Sequence, residues 1–132
     1  MREILFRGKR TNNNKWYEGS LHIEYGETDK NGNRTLDYRI LGMRGECDYV
    51  DPSTVGQYTG LTDKNGKMIF EGDICRNTST GEIVSVKWHG TMAGFVWHKR
   101  QEKSHFFNFG ELFRAHDKYE VIGNIHDTPE KE

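Results

Sequence analysis

The residues best able to do chemistry in this sequence are six histidines and twenty carboxylates, and they are scattered along the chain. The chain has no His-x-His, His-Glu-x-x-His or Cys-x-x-Cys spacing, which would hold metal ligands together. His89 and His98 could face each other across a hairpin and His105 could join them, but surface or internally hydrogen-bonded histidines are the simpler interpretation. We therefore predict no bound metal and no cofactor.

The candidate acid–base pair is Glu71 and Asp73, which would share one face of a strand. Acid–base catalysis would need both carboxylates to line a cleft, with pKa values driven apart. Because Gly72 lies between them, a turn with solvated, backbone-bonded carboxylates explains the pair better. The chain also has no Gly-x-Ser-x-Gly motif and no glycine-rich phosphate loop. We predict no catalytic residues and favour a protein that is not an enzyme.

Nucleic-acid binding is a third possibility, because aromatic and basic residues are interleaved around Trp97 to Lys103. On strands, such residues can stack bases and contact phosphates. The alternative is that Trp88 and Trp97 are core residues, since both fall in phase with apolar neighbours on paired strands. We favour the core for both tryptophans. The candidate nucleic-acid-binding residues are Lys87, Trp97, Lys99, Arg100 and Lys103.

A hexapeptide occurs twice with one change, as TDKNGN at residues 28–33 and TDKNGK at residues 62–67. Asn-Gly between extended segments is typical of a hairpin turn, because both residues accept positive φ. Asp, Asn and Gly also occur in calcium loops, but these need Gly at the sixth position and Glu at the twelfth. Counted from Asp63, Gly66 is the fourth residue, so both copies are predicted to be turns.

Composition limits the setting in which the chain works. Its 132 residues fit one domain, and its net charge of −1 argues against strong non-specific binding to nucleic acid. No apolar run approaches the ~20 residues of a membrane span, and no signal peptide is visible. Cys47 and Cys75 lack zinc-site spacing, and two reduced, part-buried thiols are favoured, although a disulfide stays open. We predict a cytoplasmic protein that does not bind membranes.

Period-two alternation dominates the chain and predicts a mainly β fold of short antiparallel strands. In the central hairpin, Val84, Val86 and Trp88 share one face of the returning strand. One short helical turn is expected after Asn108, which can cap it, with Glu111 at the third helical position. The predicted strands are 4–8, 16–25, 38–41, 53–58, 74–77, 82–89, 95–99 and 119–126, followed by a charged tail at 128–132.

Several longer motifs are more specific. They are ILFRGK at 4–9 followed by Trp16 and Gly19, VGQYTGL at 55–61, DKNGK at 63–67, IFEGDI at 69–74 and EVIGNIH at 120–126. Through these motifs the chain resembles the YopX family over almost its whole length. The matched motifs have structural interpretations: Glu71 to Asp73 form a sharp turn before a strand, and Gly123 marks a bulge or a close backbone approach in the last strand.

The resemblance implies a phage or prophage protein in a bacterial host cell, with an SH3-like β-barrel in the C-terminal part. It implies no activity, cofactor or catalytic residue. We accordingly predict a single YopX-like domain over residues 1–132, with an N-terminal β extension at about 1–55 and the barrel at about 56–127.

The favoured function is a non-enzymatic interaction module that binds a protein partner or a second copy of itself. SH3-like barrels expose loops and an edge strand, and such surfaces serve recognition without catalysis. The alternative is an accessory nucleic-acid-binding protein that uses the Trp97–Lys103 region. An enzyme of nucleotide or cell-wall metabolism is the least supported.

Overall fold

The computed structural model describes residues 3–42, 44–90, 94–99, 106–108 and 114–127. Within them the chain is mainly β, and neighbouring strands are antiparallel, which confirms the predicted fold class. The strands are β1 (Phe6–Lys9), β2 (Trp16–Thr28), β3 (Arg34–Gly42), β4 (Cys47–Tyr49), β5 (Gly56–Thr62), β6 (Met68–Phe70), β7 (Asp73–Asn77), β8 (Ile83–His89), β9 (Gly94–Lys99), β10 (Phe106–Asn108) and β11 (Tyr119–Asn124).

The segment before β5 differs from its prediction. Pro52–Thr54 form a 3₁₀ helix, so the strand predicted at 53–58 starts later, at Gly56. Asp51 caps this helix by accepting a hydrogen bond from the Ser53 backbone N–H (3.0 Å). Pro52 suits the first helical position because its φ is already fixed near the helical value.

The chain forms two compact units, residues 1–57 and residues 58–132. In the first unit the strand order is β4-β3-β2-β1, and the opening residues of β5 pair with β1. Among its described residues the buried apolar side chains are Ile40 and Val50. Gly8 lies against Val50, where a Cβ atom would approach the valine side chain to 3.0 Å. This small core is located at one end of the β2–β3 hairpin.

The second unit contains a sheet with the order β10-β9-β8-β7-β11. A register shift between Val121 and Gly123 confirms the bulge predicted in the last strand. This sheet does not close among the described residues, so the predicted SH3-like barrel is not confirmed. The core of the unit consists of Ile69, Cys75, Val84, Val86, Trp97, Ala115 and Tyr119.

The two tryptophans of this sheet have different environments. Trp97 is 1% exposed and stacks on Tyr119, with ring centroids 4.7 Å apart. Trp88 is 50% exposed, so its predicted place in the core is wrong. It does lie in phase with Val86 on β8, but at the end of the strand, where its ring contacts Phe95 edge to face at 5.1 Å. The alternation predicts the correct face of β8 for Trp88. It does not predict that the core ends before this position on the strand.

Both copies of the repeated hexapeptide are turns, as predicted. Gly32 and Gly66 have positive φ values of 82° and 80°. In the first copy, Asp29 Oδ1 accepts hydrogen bonds from the backbone N–H groups at positions 31 and 33. In the second, Asp63 Oδ1 accepts from those at positions 65 and 67. The turn at Glu71 and Gly72 is also confirmed, but Asp73 is buried rather than solvated, and its Oδ2 accepts from Phe70 N–H (2.7 Å).

The remaining predictions have mixed outcomes. Asn108 ends β10, residues 109–113 lie outside the described residues, and a 3₁₀ helix occupies His116–Lys118. The predicted tail at 128–132 also lies outside them. Both cysteines are free, and Cys47 is exposed rather than part-buried. No helix of the described residues is long and apolar enough to cross a membrane.

Candidate protein-interaction surface

The β2–β3 hairpin extends well past the strands that flank it. β2 has 13 residues, and β1 pairs only with those from Trp16 to Gly19. From Ser20 onward, β2 is paired on one side, with β3. We call residues 20–40, which are the outer parts of β2 and β3 and the turn between them, the arm. The arm is a two-stranded structure that extends from a wider sheet.

The turn at the end of the arm fixes the register of its two strands. Asp29 N–H donates to Asn33 O (2.8 Å), and Gly32 N–H donates to Asp29 O (3.1 Å). Together with the two bonds to the Asp29 carboxylate, these contacts hold the chain in one conformation. Because a one-residue slip would move every side chain to the other face, the turn determines which face of the arm is apolar.

One face of the arm is apolar and progressively exposed toward the turn. Its cross-strand pairs, in order from the core outward, are Leu21 with Ile40, Ile23 with Tyr38, and Tyr25 with Leu36. Ile40 is fully buried, but Ile23 is 47% exposed, Leu36 46% and Tyr25 74%. Arg34 lies over the Tyr25 ring, 5.7 Å from its centroid, at the outer end. These side chains form the apolar face of the arm.

The opposite face is polar and internally paired. Arg39 forms an ion pair with Glu24 and lies 5.4 Å from the centroid of the Tyr49 ring. The ring N–H of His22 donates to Glu24 Oε1 over 2.8 Å. This hydrogen bond is the main cause of the lowered pKa of Glu24, and the positive charge of Arg39 lowers the pKa further. Loss of hydrating water raises the pKa and partly offsets both effects. The polar face is therefore suited to water as it stands.

The apolar face is not suited to water. A two-stranded hairpin is marginally stable by itself, and further strands or a packed layer stabilise it. Large contiguous apolar patches rimmed by polar groups mark interaction sites on soluble proteins. Tyr25, Ile23 and Leu36 are neighbouring exposed apolar side chains, bordered by Arg34 and the Asp29 turn. The arrangement can bind an apolar protein surface.

The predicted nucleic-acid-binding residues lie in and after β8 and β9, and the structure describes three of the five. Lys87 is exposed on β8, opposite Val96, while Trp97 is buried against Tyr119 and has no ring face open for a base. The backbone of Lys99 pairs with β8 and β10, and Arg100 and Lys103 lie outside the described residues. Nucleic-acid binding through this region stays a prediction.

The histidines considered as metal ligands are not brought together. His89 pairs with Gly94 and His98 with Ser85, so the two lie at opposite ends of the β8–β9 ladder. Four residues of strand separate them, roughly 13 Å. His105 lies outside the described residues. The geometry of β8 and β9 therefore does not support a metal site shared by His89 and His98.

The arm was only partly visible in the sequence. The alternation of Leu21, Ile23 and Tyr25 predicts a strand with one apolar face. That face is exposed because β2, with 13 residues, is much longer than β1, with four. The sequence indicates this difference in strand length less directly. The repeated hexapeptide at 28–33 was the available signal for a long hairpin.

Comparison with known proteins identifies a family and a solved structure of similar fold. A family model described as "YopX protein" matches residues 5–131. Among solved structures, the crystal structure of protein EF1440 from Enterococcus faecalis is similar, with 23% sequence identity and a TM-score of 0.54. The similarity covers 98% of this chain and 98% of that one, and it supports the fold alone. No curated protein matches the chain.

Proposed function

Because the chain belongs to the YopX family, we propose that it is a phage- or prophage-encoded interaction module that binds a protein partner through the apolar face of the arm. The observation that carries this proposal is the exposure of Ile23, Tyr25 and Leu36 on a two-stranded hairpin. A few central residues, most often Trp, Tyr and Arg, supply most of an interface's binding energy, and Tyr25 is of this type. The module works without catalysis, in the cytoplasm of the bacterial host.

The favoured ligand is a protein rather than a nucleic acid. Nucleic acids are bound mainly by cations that neutralise phosphates. Among the cations of the arm, Arg39 is paired with Glu24, Arg34 lies against the Tyr25 ring, and Lys30 lies in the exposed turn beside Asp29. The arm also has four carboxylates, Glu24, Glu27, Asp29 and Asp37, which disfavour contact with phosphates. The face that remains open is apolar and suits an apolar protein surface.

The proposal includes an SH3-like arrangement for the second unit. Four successive strands, β7 to β10, are neighbours in the sheet, and a 3₁₀ helix then leads into β11, which returns to pair with β7. This order of elements supports an open relative of the SH3-like barrel.

Site-specific photo-cross-linking in the bacterial host tests the proposed surface. A benzophenone amino acid replaces Leu36 on the apolar face, and in a matched variant it replaces Thr35, the exposed neighbour that points to the other face. We expect one defined protein adduct at position 36 and none at position 35. Tyr25→Asp in the same chain should remove that adduct.

The outcomes separate the candidate functions. Equal protein adducts at both positions, or an adduct that persists with Tyr25→Asp, would contradict a role for the apolar face. A nucleic-acid adduct at position 36 would favour the alternative function instead.

A further inference from the structure

Within the part of the chain that the structure describes, the edge of β2 that faces away from β3 is open along the arm. Val50 N–H donates to Tyr38 O (2.9 Å), so the main-chain groups of Tyr38 point away from β2. Ile23 lies opposite Tyr38. In an antiparallel ladder such a pair is not hydrogen bonded, so the N–H and C=O of Ile23 point out of the free edge. Those of Leu21 and Tyr25, two residues away on either side, do the same.

The open segment is bounded at both ends. β1 occupies this edge at Gly19, where it pairs with Phe6. After Tyr25 the pairing with β3 shifts register, and an irregularity of this kind bends the strand and ends regular pairing. Another strand could therefore pair along residues 20–25, with its middle close to Ile23. Among the described residues, no backbone group bonds to this segment from outside the hairpin.

The order of residues along this segment is complementary to itself, and from this we infer that β2 pairs with β2 of a second copy of the chain around a two-fold axis at Ile23. Ile23 then faces Ile23 of the second copy, and Leu21 faces its Tyr25, which places apolar side chains opposite each other. On the other face, His22 of each copy lies opposite Glu24 of the other. Each cross-strand pair of this kind is stabilising.

Other registers lack this match. An axis at Glu24 would place the two Glu24 carboxylates directly opposite each other, and like charges in that position are destabilising. An axis at His22 would oppose two histidines and leave Tyr25 unpaired. An axis at Leu21 would extend the second strand past Ser20 into the position of β1. The axis at Ile23 alone joins opposite charges and fits the open segment.

The pairing has a consequence for the partner surface. A two-fold axis perpendicular to the sheet keeps the apolar faces of both arms on the same side. The two arms then form one four-stranded layer, and unpaired edges no longer flank β2. The inference concerns the same arm as the proposed function, but it depends on the main-chain edge and not on what covers the apolar face.

Charge exchange tests the pairing in purified protein. Sedimentation equilibrium from about 1 μM to 1 mM compares wild type with His22→Glu and Glu24→Lys, and with Glu27→Lys as a matched control outside the paired segment. Each single variant should raise the dimer dissociation constant about tenfold, since two pairs change at once. In an equimolar mixture of the two variants, the dimer dissociation constant should be within about threefold of the wild-type value. The reason is that Glu at position 22 of one copy faces Lys at position 24 of the other.

Disulfide trapping provides a second readout that does not depend on charge. In a Cys47→Ser background, Ile23→Cys should oxidise to a covalent dimer, because self-paired residues have Cα atoms about 5.5 Å apart, within disulfide range. Tyr25→Cys should not, because Leu21 lies opposite it. A monomeric wild type at every concentration, no recovery in the mixture, or equal oxidation at both positions would overturn the inference. None of these results would affect cross-linking at Leu36, which tests the proposed function separately.

Discussion

Asp29 and Asp63 occupy the same position in two nearly identical turns, yet their surroundings differ. Each Oδ1 accepts two backbone hydrogen bonds from its own turn. Asp29 is exposed, whereas Asp63 is buried, and its Oδ2 also accepts the backbone N–H of Val121 (2.9 Å). The second turn therefore holds the outer edge of β11, and Lys64 N–H adds a bond to Tyr119 O (2.9 Å).

The two aspartates give a matched pair of substitutions. Asp63→Asn keeps the turn bonds but replaces the oxygen that faces Val121 with an NH₂ donor, which leaves a buried N–H unpaired. We expect the free energy of unfolding to fall by about 1–3 kcal/mol. Asp29→Asn changes an exposed turn that suits Asn equally well, so its effect should stay within about 0.5 kcal/mol. Urea denaturation measures both, and equal effects would show that the bond to Val121 is unimportant.

The same carboxylate predicts a response to acid. Burial raises the pKa of Asp63, but the N–H groups of Val121, Lys67 and Asn65 and the Lys67 charge together lower it below 3.8. A carboxyl whose pKa is lower in the folded protein stabilises it above the unfolded value, and this stability is lost as pH falls through the folded pKa. We expect Asp63→Asn to lose less stability than wild type below about pH 4. Identical slopes in urea melts between pH 7 and pH 2.5 would contradict this.

At this scale the sequence was informative where local chemistry decides the conformation. Asp-x-Asn-Gly bonds to its own backbone, so both turns were predictable without the rest of the fold. The burial of Asp63 was not, because it depends on Val121, which lies 58 residues further along the chain.

Among the elements, β8 and β9 show that a side chain on the predicted face of a strand is not always buried. Trp88 and Trp97 are in phase with the core side chains of their strands, as the alternation predicts. Only Trp97 is buried, in a stack with Tyr119 in the core, because Trp88 is at the end of its strand. Period two specifies a side, and the lengths of the neighbouring elements determine what is covered.

The two tryptophans therefore have different expected contributions to stability. Trp97→Ala removes a buried ring and should lower the free energy of unfolding by about 3–5 kcal/mol. Trp88→Ala loses one edge-to-face contact with Phe95 and should lower it by about 0.5–1.5 kcal/mol. Guanidinium denaturation followed by circular dichroism compares them. A greater loss at position 88 would mean that the core extends to the end of β8.

The structure of the arm is predictable from the sequence, but its proposed role is not. Its strands and turn follow from the alternation of Leu21, Ile23 and Tyr25 and from the hexapeptide after them. Its role could not be derived from the same pattern, because a strand with one apolar face normally has that face covered. Ile23, Tyr25 and Leu36 become informative once the structure shows that β1 stops at Gly19.

For the whole molecule, the two units bury apolar side chains to different extents. Ten buried apolar side chains are described in the second unit, whereas Ile40 and Val50 are the two described in the first. A unit of about 57 residues with a small core has little stability to spare. A partner on the arm would bind where the first unit has uncovered apolar surface.

The central claim is that the apolar face of the arm binds a protein. It is tested most directly by titrating the partner identified by cross-linking against Leu36→Glu and Thr35→Glu, which place the same charge on opposite faces of β3. Leu36→Glu should raise the dissociation constant at least about thirtyfold, equivalent to about 2 kcal/mol, with unfolding free energy unchanged. Thr35→Glu should change it by less than about threefold. Equal dissociation constants for the two variants would contradict the claim.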